Sequence, residues 1–236
     1  MIDVGQGDSM LIKTPMGKTI LIDGGGSKEK ESFDIGEKIL LPYLLDRGIT
    51  KLDYVLITHF DSDHVGGILT ILQNIKVEKV IICKQGENSD NYEEFKNIVK
   101  EKKIKVIIAD KGDNISIEKN ITLQILWPKE EQIQENILNN NSIVAKINYN
   151  NFSVLLTGDI EEIAERQILE EYKNSNILKS VVLKVAHHGS KSSSIQSFLD
   201  KVQPPIALIG VGENNTFGHP NRGVIERLEL LRCTNI

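Results

Sequence analysis

The chain has 236 residues, 40% of them hydrophobic, and a formal net charge of −5. That length and apolar content suffice to bury one large core or two packed halves. The negative balance, with no long run of one sign, excludes a protein that holds polyanions by bulk positive charge. No apolar stretch approaches the ~20 residues needed to span a bilayer, no secretory signal pattern is visible, and the chain reads as soluble. The two cysteines, Cys83 and Cys233, have no Cys-x-x-Cys spacing. Cys83 ends the apolar run Val80-Ile81-Ile82 and reads as a buried free thiol.

In chain order, Ile2-Asp3-Val4 reads as the end of a strand. Met10 to Thr14 alternates, Pro15-Met16-Gly17-Lys18 makes a turn, and Thr19-Ile20-Leu21-Ile22 returns as the second arm of a hairpin. That arm runs into Asp23-Gly24-Gly25-Gly26, where glycines permit close approach to a ligand. Asp34 to Arg47 has a helical apolar period with Pro42 as a kink. Tyr54 to Thr58 is a β-type run that delivers His59, Asp61, Asp63 and His64, and a helical pattern follows from Val65 to Leu72. Next come a strand at Lys79 to Ile82, a charged helix at Tyr92 to Lys102, and strands at Lys105 to Ile108 and Ile121 to Trp127. Asn136 to Asn141 is polar and reads as loop.

The second half repeats the style. Ser142 to Tyr149 and Phe152 to Leu156 form a hairpin over Asn150-Asn151, ending in Thr157-Gly158-Asp159 before a helix from Glu161 to Tyr172. Ser180 to Ala186 reads as a strand that delivers His187-His188-Gly189-Ser190. A serine-rich link leads to a helix near Ile195 to Val202 and a strand at Ile206 to Ile209. The loop Gly210 to Asn221, with His219-Pro220, feeds a last helix from Val224 to Leu231. Arg232 to Ile236 reads as a strand just starting. Both ends suggest a domain, 1–236, cut from a longer protein. Two groups of strands with helices outside predict two sheets packed face to face.

All five histidines fall at strand ends or in the last loop, together with Asp23 and Asp159. Histidine nitrogen and carboxylate oxygen bind divalent metals. Asp61 and Asp63 repel one another unless a cation lies between them. A polar turn with Asp63 as helix cap is the plainer reading, but it gives two alternating histidines and aspartates no purpose. For Asp159 the plainer reading is likewise a helix cap. Strand alternation would put His187 and His188 on opposite faces, so that one of the two faces a metal.

The pattern His-x-Asp-x-Asp-His at 59–64 resembles the metal motif of the metallo-β-lactamase superfamily, usually His-x-His-x-Asp-His. With Ile2-Asp3-Val4-Gly5-Gln6-Gly7-Asp8-Ser9, the chain is similar to the metallo-β-lactamase-like domain of ComEC-type competence proteins, which take up DNA. The resemblance implies a four-layer αββα sandwich. It implies that His59 and Asp61 hold a first metal, that Asp63, His64 and His188 hold a second, and that Asp159 bridges them. Asp61 stands where a histidine is usual, and Asn140-Asn141-Ser142 occupies the place of the third histidine of the first site. Losing two imidazoles shifts preference from Zn²⁺ toward oxygen-coordinated Mn²⁺ or Mg²⁺, and Mn²⁺ is the expected cofactor.

The function so implied is a two-metal phosphodiesterase or nuclease degrading one strand of DNA, with single-stranded DNA as substrate. Asp63 would orient the attacking water; His219 would deliver a proton or contact phosphate. Ser190, Ser192 to Ser194 and His187 would offer donors to phosphate. The implied setting is the extracytoplasmic side of a bacterial membrane, attached to the channel portion of a parent protein. Two other readings stand beside it: an esterase or phosphodiesterase of small molecules in the same superfamily, phosphorylcholine esterase-like or lactonase-like, and a non-catalytic DNA-guiding module.

Overall fold

Pro15 and Gly17 close the first hairpin, and strands β1 (Met10–Lys13) and β2 (Thr19–Ile22) pair antiparallel, Met10 opposite Ile22. The computed structural model describes residues 1–26, 33–84 and 89–235. These fold as two compact units, one of residues 1–109 with 210–214, the other of residues 110–209 with 215–236.

In the first unit a π-helical turn over Gly36–Leu40 passes into helix α1 (Leu41–Asp46). Pro42 falls in the first turn of α1, directly after the π-helical turn. Strand β3 (Lys51–Leu56), helix α2 (Ser62–Asn74), strand β4 (Lys76–Ile82), helix α3 (Asp90–Lys102) and strand β5 (Lys105–Ile108) follow. The sheet order is β1-β2-β3-β4-β5, parallel from β2 onward. Val65, Ile68, Leu69 and Leu72 on one face of α2 bury against Leu52 and Val55 of β3 and Val80 and Ile82 of β4. Each fully buried side chain of this kind contributes about 1.5–3 kcal/mol. Every residue of β2 is buried. Residues 2–4 are not strand; Ile2 donates its N–H to the Ser9 carbonyl instead.

The second unit begins with β6 (Asn114–Glu118), a short strand with only Ile115 and Ile117 apolar, and β7 (Ile121–Trp127). Helix α4 (Ile137–Asn140) is a single turn in what reads as loop. Then come β8 (Val144–Tyr149), β9 (Phe152–Leu156), α5 (Glu162–Glu171), β10 (Val182–Lys184), α6 (Gln196–Val202), β11 (Ile206–Leu208), α7 (Arg222–Leu230) and β12 (Thr234–Asn235). The order is β12-β11-β10-β9-β8-β7-β6, antiparallel from β6 to β9 and parallel from β9 to β12. Ala164 and Ile168 of α5, Phe198 and Leu199 of α6, and Val224 and Leu228 of α7 share a core with Leu155 and Leu183 of the sheet. The strand expected at the C-terminus forms at Thr234–Asn235; Ile236 lies outside the described residues. Cys83 is buried, with its Sγ 3.9 Å from the Thr58 carbonyl oxygen. No helix among the described residues is long and apolar enough to cross a membrane.

Candidate metal centre

Strand β3 ends at Leu56 and α2 starts at Ser62, which leaves His59 and Asp61 in the short link between them. Asp61 takes the N-cap position of α2, yet its side chain makes no capping hydrogen bond, and Asp63 lies inside the first turn. The capping explanation for this cluster therefore does not hold. Instead the Asp61 carboxylate lies 3.6 Å from Nε2 of His59.

Hydrogen bonding settles which nitrogen of each imidazole carries its proton. Asp23, buried just after β2, accepts from the Thr58 backbone N–H and the Thr58 hydroxyl, both at 2.8 Å. That hydroxyl has one proton to give, so at 3.1 Å it accepts from Nδ1–H of His59. The lone pair of His59 is thus on Nε2, which is buried and has no hydrogen-bond partner among the described residues. Asp23 also lies 2.9 Å from Nδ1 of His64, assigning the proton to Nδ1 there too. Both rings, with centroids 4.1 Å apart, present Nε2 in the form that ligates a metal, supported from behind by a carboxylate.

Asp8 is the residue that sequence reasoning missed. It is buried, its Oδ2 lies 3.9 Å from Nδ1 of His64, and its backbone is fixed on both sides. Its N–H donates to the Asp63 carbonyl at 3.2 Å, and its carbonyl accepts from Gly25 at 2.8 Å. Gly7 makes this possible: its φ is +133°, and a Cβ there would collide with the Asp63 carbonyl. The signal was present in Gly5-Gln6-Gly7-Asp8, a carboxylate behind glycines that let two backbones meet. The glycines after Asp23 have the same use. A Cβ on Gly67 of α2 would collide with the Gly24 carbonyl, so these glycines approach a helix rather than a ligand.

In the second unit Asp159 lies between β9 and α5. The N-cap of α5 is Glu161, so Asp159 does not cap it. Its N–H donates to the Ser142 hydroxyl at 3.2 Å. Its Oδ2 is 3.2 Å from Nε2 of His188 and 3.9 Å from Nε2 of His187, and its Oδ1 is 3.9 Å from the buried Lys184 ammonium. Strand β10 stops at Lys184, and both histidines sit in a 3₁₀ turn with left-handed backbones, φ 49° and 53°. The expected strand alternation is therefore absent: both rings reach toward Asp159, His188 being the more buried and the nearer. Burial holds the His187 imidazole below its usual range, although the Asp159 carboxylate opposes this.

Where the superfamily pattern has its third histidine, the side chains serve the framework. Asn140 accepts from the Glu161 N–H at 3.0 Å and donates to the Glu135 carbonyl at 2.9 Å. Asn141 donates to the carbonyls of Ile133 and Ile137. The serines after His188 also hold their own loop. Ser190 is buried with its hydroxyl 3.0 Å from that of Ser192, Ser192 donates to Glu161, and Ser193 donates to the carbonyls of Ala186 and Ser190. The N–H groups of Ser194 and Ile195 donate to buried Glu165 at 2.6 and 2.8 Å. Burial pushes the Glu165 carboxyl up to about 7 despite those two bonds. His219 is half-buried, with its ring centroid 5.8 Å from that of His187.

The buried Nε2 lone pair of His59 facing the Asp61 carboxylate is the arrangement a divalent cation satisfies, and the remaining donors are of matching chemistry. Residues 2–213 match the metallo-beta-lactamase superfamily. The chain belongs to that superfamily. It is 34% identical over 239 residues to ComE operon protein 3 of Bacillus subtilis, a match covering 97% of this chain and 30% of that protein. It is also 34% identical to Recombination protein 2 of Haemophilus influenzae, across 96% of this chain and 26% of that protein. Competence protein ComA of Neisseria gonorrhoeae is 28% identical over 96% of this chain and 28% of its own length. The chain thus spans less than a third of the curated relatives it matches. Among solved structures, Igni18, a metallo hydrolase from Ignicoccus hospitalis, superposes with TM-score 0.59 at 14% identity, covering 100% of this chain and 93% of its own. The metallo-beta-lactamase fold protein YhfI from Bacillus subtilis gives 0.58 at 14% identity, covering 99% and 92%. The α/β class expected from the sequence is the one found, with two mixed sheets flanked by helices in a superfamily of metal-dependent hydrolases.

Proposed function

We propose that the chain is a metal-dependent phosphodiesterase that hydrolyses DNA during competence, as one domain of a longer, membrane-attached protein. Its proposed ligands are His59, Asp61, Asp63, His64, Asp159 and His188. Asp8 joins them on the strength of its place beside His64. The observation that carries the reading is the His59 ring, whose buried Nε2 lone pair is fixed by Thr58 and turned to the Asp61 carboxylate. The family supports the metal and hydrolysis; the competence and recombination proteins among the relatives support DNA as substrate.

When bound, two divalent ions supply an activated water and neutralise charge developing on phosphate. Asp63 orients that water. His219 contacts a phosphate oxygen or delivers the proton to the leaving oxygen, and His187, with its depressed basicity, is a neutral donor beside it. A carboxylate-rich ligand set with few imidazoles favours Mn²⁺ over Zn²⁺.

The test incubates the metal-stripped chain with Mn²⁺, Mg²⁺ or Zn²⁺ and labelled single- and double-stranded DNA, with bis-p-nitrophenyl phosphate alongside. Mn²⁺-dependent cleavage of single-stranded DNA is the expected result. Turnover of the small diester alone would make the chain a small-molecule phosphodiesterase. No turnover with any metal would leave a DNA-guiding module.

A further inference from the structure

Four rings form a row in the second unit. The centroids of His188 and His187 are 6.2 Å apart, those of His187 and His219 5.8 Å, and those of His219 and Phe217 5.9 Å. The first two pairs meet edge to face, but Phe217 and His219 lie nearly parallel, at 13°. Exposure rises along the row, from 1% at His188 to 67% at Phe217. The row therefore starts at a proposed metal ligand and ends in solvent.

The outer half of the row is held by a built loop. The Asn215 side-chain oxygen accepts from the N–H groups of Phe217 and His219, at 3.1 and 3.0 Å, and its amide donates to the His219 carbonyl at 2.7 Å. The Asn221 N–H donates to the Gly189 carbonyl at 2.8 Å, tying the same loop to the His187–His188 turn. A lone exposed apolar side chain is ordinary on a protein surface. This one is presented on a backbone fixed by three hydrogen bonds, with one face parallel to an imidazole.

We propose that the outer face of Phe217 is a stacking platform for an unpaired base of a single-stranded nucleic acid. The inference rests on the nuclease reading and deepens it by naming the feature that selects single strands, since duplex bases already stack on one another. Base–aromatic stacking tolerates any sequence, because every base has a π-face. With 5% aromatic residues in the chain, one platform next to the proposed His219 contact is a way to register a strand without reading it.

The test compares the Mn²⁺-supplied parent with F217A, F217L and F217W, using oligothymidylate and an abasic oligomer of the same backbone length. F217A and F217L should raise KM for oligothymidylate about tenfold or more, with kcat nearly unchanged and no change on the abasic oligomer. F217W should keep the parental KM, and its indole emission should be quenched by oligothymidylate but not by the abasic strand. Equal KM for parent and F217A on oligothymidylate overturns the inference, as does a loss of equal size on both oligomers, which would make Phe217 a support for His219. A parent that cleaves nothing while oligothymidylate still quenches F217W refutes the nuclease reading and leaves the platform standing. A parent that cleaves nothing, with no quenching, overturns both.

Discussion

The two units aim their imidazoles by different physical means. In the first, side-chain hydrogen bonds do it: Asp23 holds His64 directly and His59 through the Thr58 hydroxyl. In the second, the backbone does it, with His187 and His188 both in the left-handed region. That conformation costs roughly 1–2 kcal/mol per non-glycine residue, so packing around the turn must hold it. Buried Glu165 of α5 grips Ser194 and Ile195, while Arg227 of α7 donates to the carbonyls of Ser193 and Ser194. Aiming by hydrogen bonds fixes the tautomer but depends on one carboxylate. Aiming by backbone fixes direction and shifts the burden to neighbours far from the chemistry.

The sharpest way to break the second arrangement is Asp159→Asn. The substitution keeps volume, but it removes the charge that faces His188 at 3.2 Å and Lys184 at 3.9 Å. Hydrolysis should fall ~10³-fold or more, as expected when metal activation worth several kcal/mol is lost. Circular dichroism and the thermal midpoint without metal should remain close to the parent's. Full turnover in a folded, metal-supplied variant would remove Asp159 from the centre.

A second prediction concerns the support of that turn. The Glu165 carboxyl titrates near 7 in the folded chain against an ordinary 4.5, because it is buried. Between those values the folded chain binds more protons than the unfolded one, so stability falls as pH rises from about 4.5 to about 7 and is flat above. The contribution of this group across the window is on the order of 3 kcal/mol. Urea midpoints measured from pH 4.5 to 8 on the parent and on Glu165→Gln isolate it. The parent curve should descend relative to the variant over that range. Parallel curves would mean that the two backbone N–H bonds keep the carboxylate charged throughout.

The same contrast explains what could be read in advance. His59, Asp61, Asp63 and His64 are legible because all four fall within six residues at the end of an apolar strand, and strand periodicity places them without tertiary knowledge. His187 and His188 were legible as ligand-type residues but not in direction. A strand pattern continues through Val185 and Ala186, and nothing in the local sequence announces two left-handed residues. Gly5-Gln6-Gly7 marks a close backbone approach ahead of Asp8, but not its target, because the partners Asp63 and Gly25 lie far away in sequence. Strand β6 does alternate, with Ile115 and Ile117 between Asn114, Ser116 and Glu118, but it offers only two apolar residues in five, too short a pattern to stand out. In sequence Asn140 and Asn141 look like gaps in the ligand set; a hydrogen-bonded framework fills that place, which pattern alone does not show.

The smallest expected effect tests the first unit's dependence on a single carboxylate. Asp23→Asn replaces an oxygen that accepts from Thr58 and His64 with an amide that can accept at one atom only. If the amide oxygen keeps the Thr58 N–H, the NH₂ group faces the Thr58 hydroxyl and Nδ1 of His64. His64 must then accept at Nδ1 and carry its proton on Nε2, which removes it as a ligand. The Thr58 hydroxyl, now accepting from the amide, turns its own proton to His59 Nδ1 and forces the same tautomer there. One substitution with almost no change in volume thus misprotonates both imidazoles. Loss of such a supporting partner typically weakens metal binding 10–100-fold, or about 1.4–2.7 kcal/mol. Titration with Mn²⁺ followed by electron paramagnetic resonance would read this directly, and the metal-induced rise in thermal midpoint should shrink in step. Thr58→Val is the control that separates the two rings, since it releases His59 while leaving the Asp23–His64 bond in place, and it should cost less than Asp23→Asn. Parental Mn²⁺ affinity in Asp23→Asn would show that the first unit, like the second, aims its ligands by backbone alone.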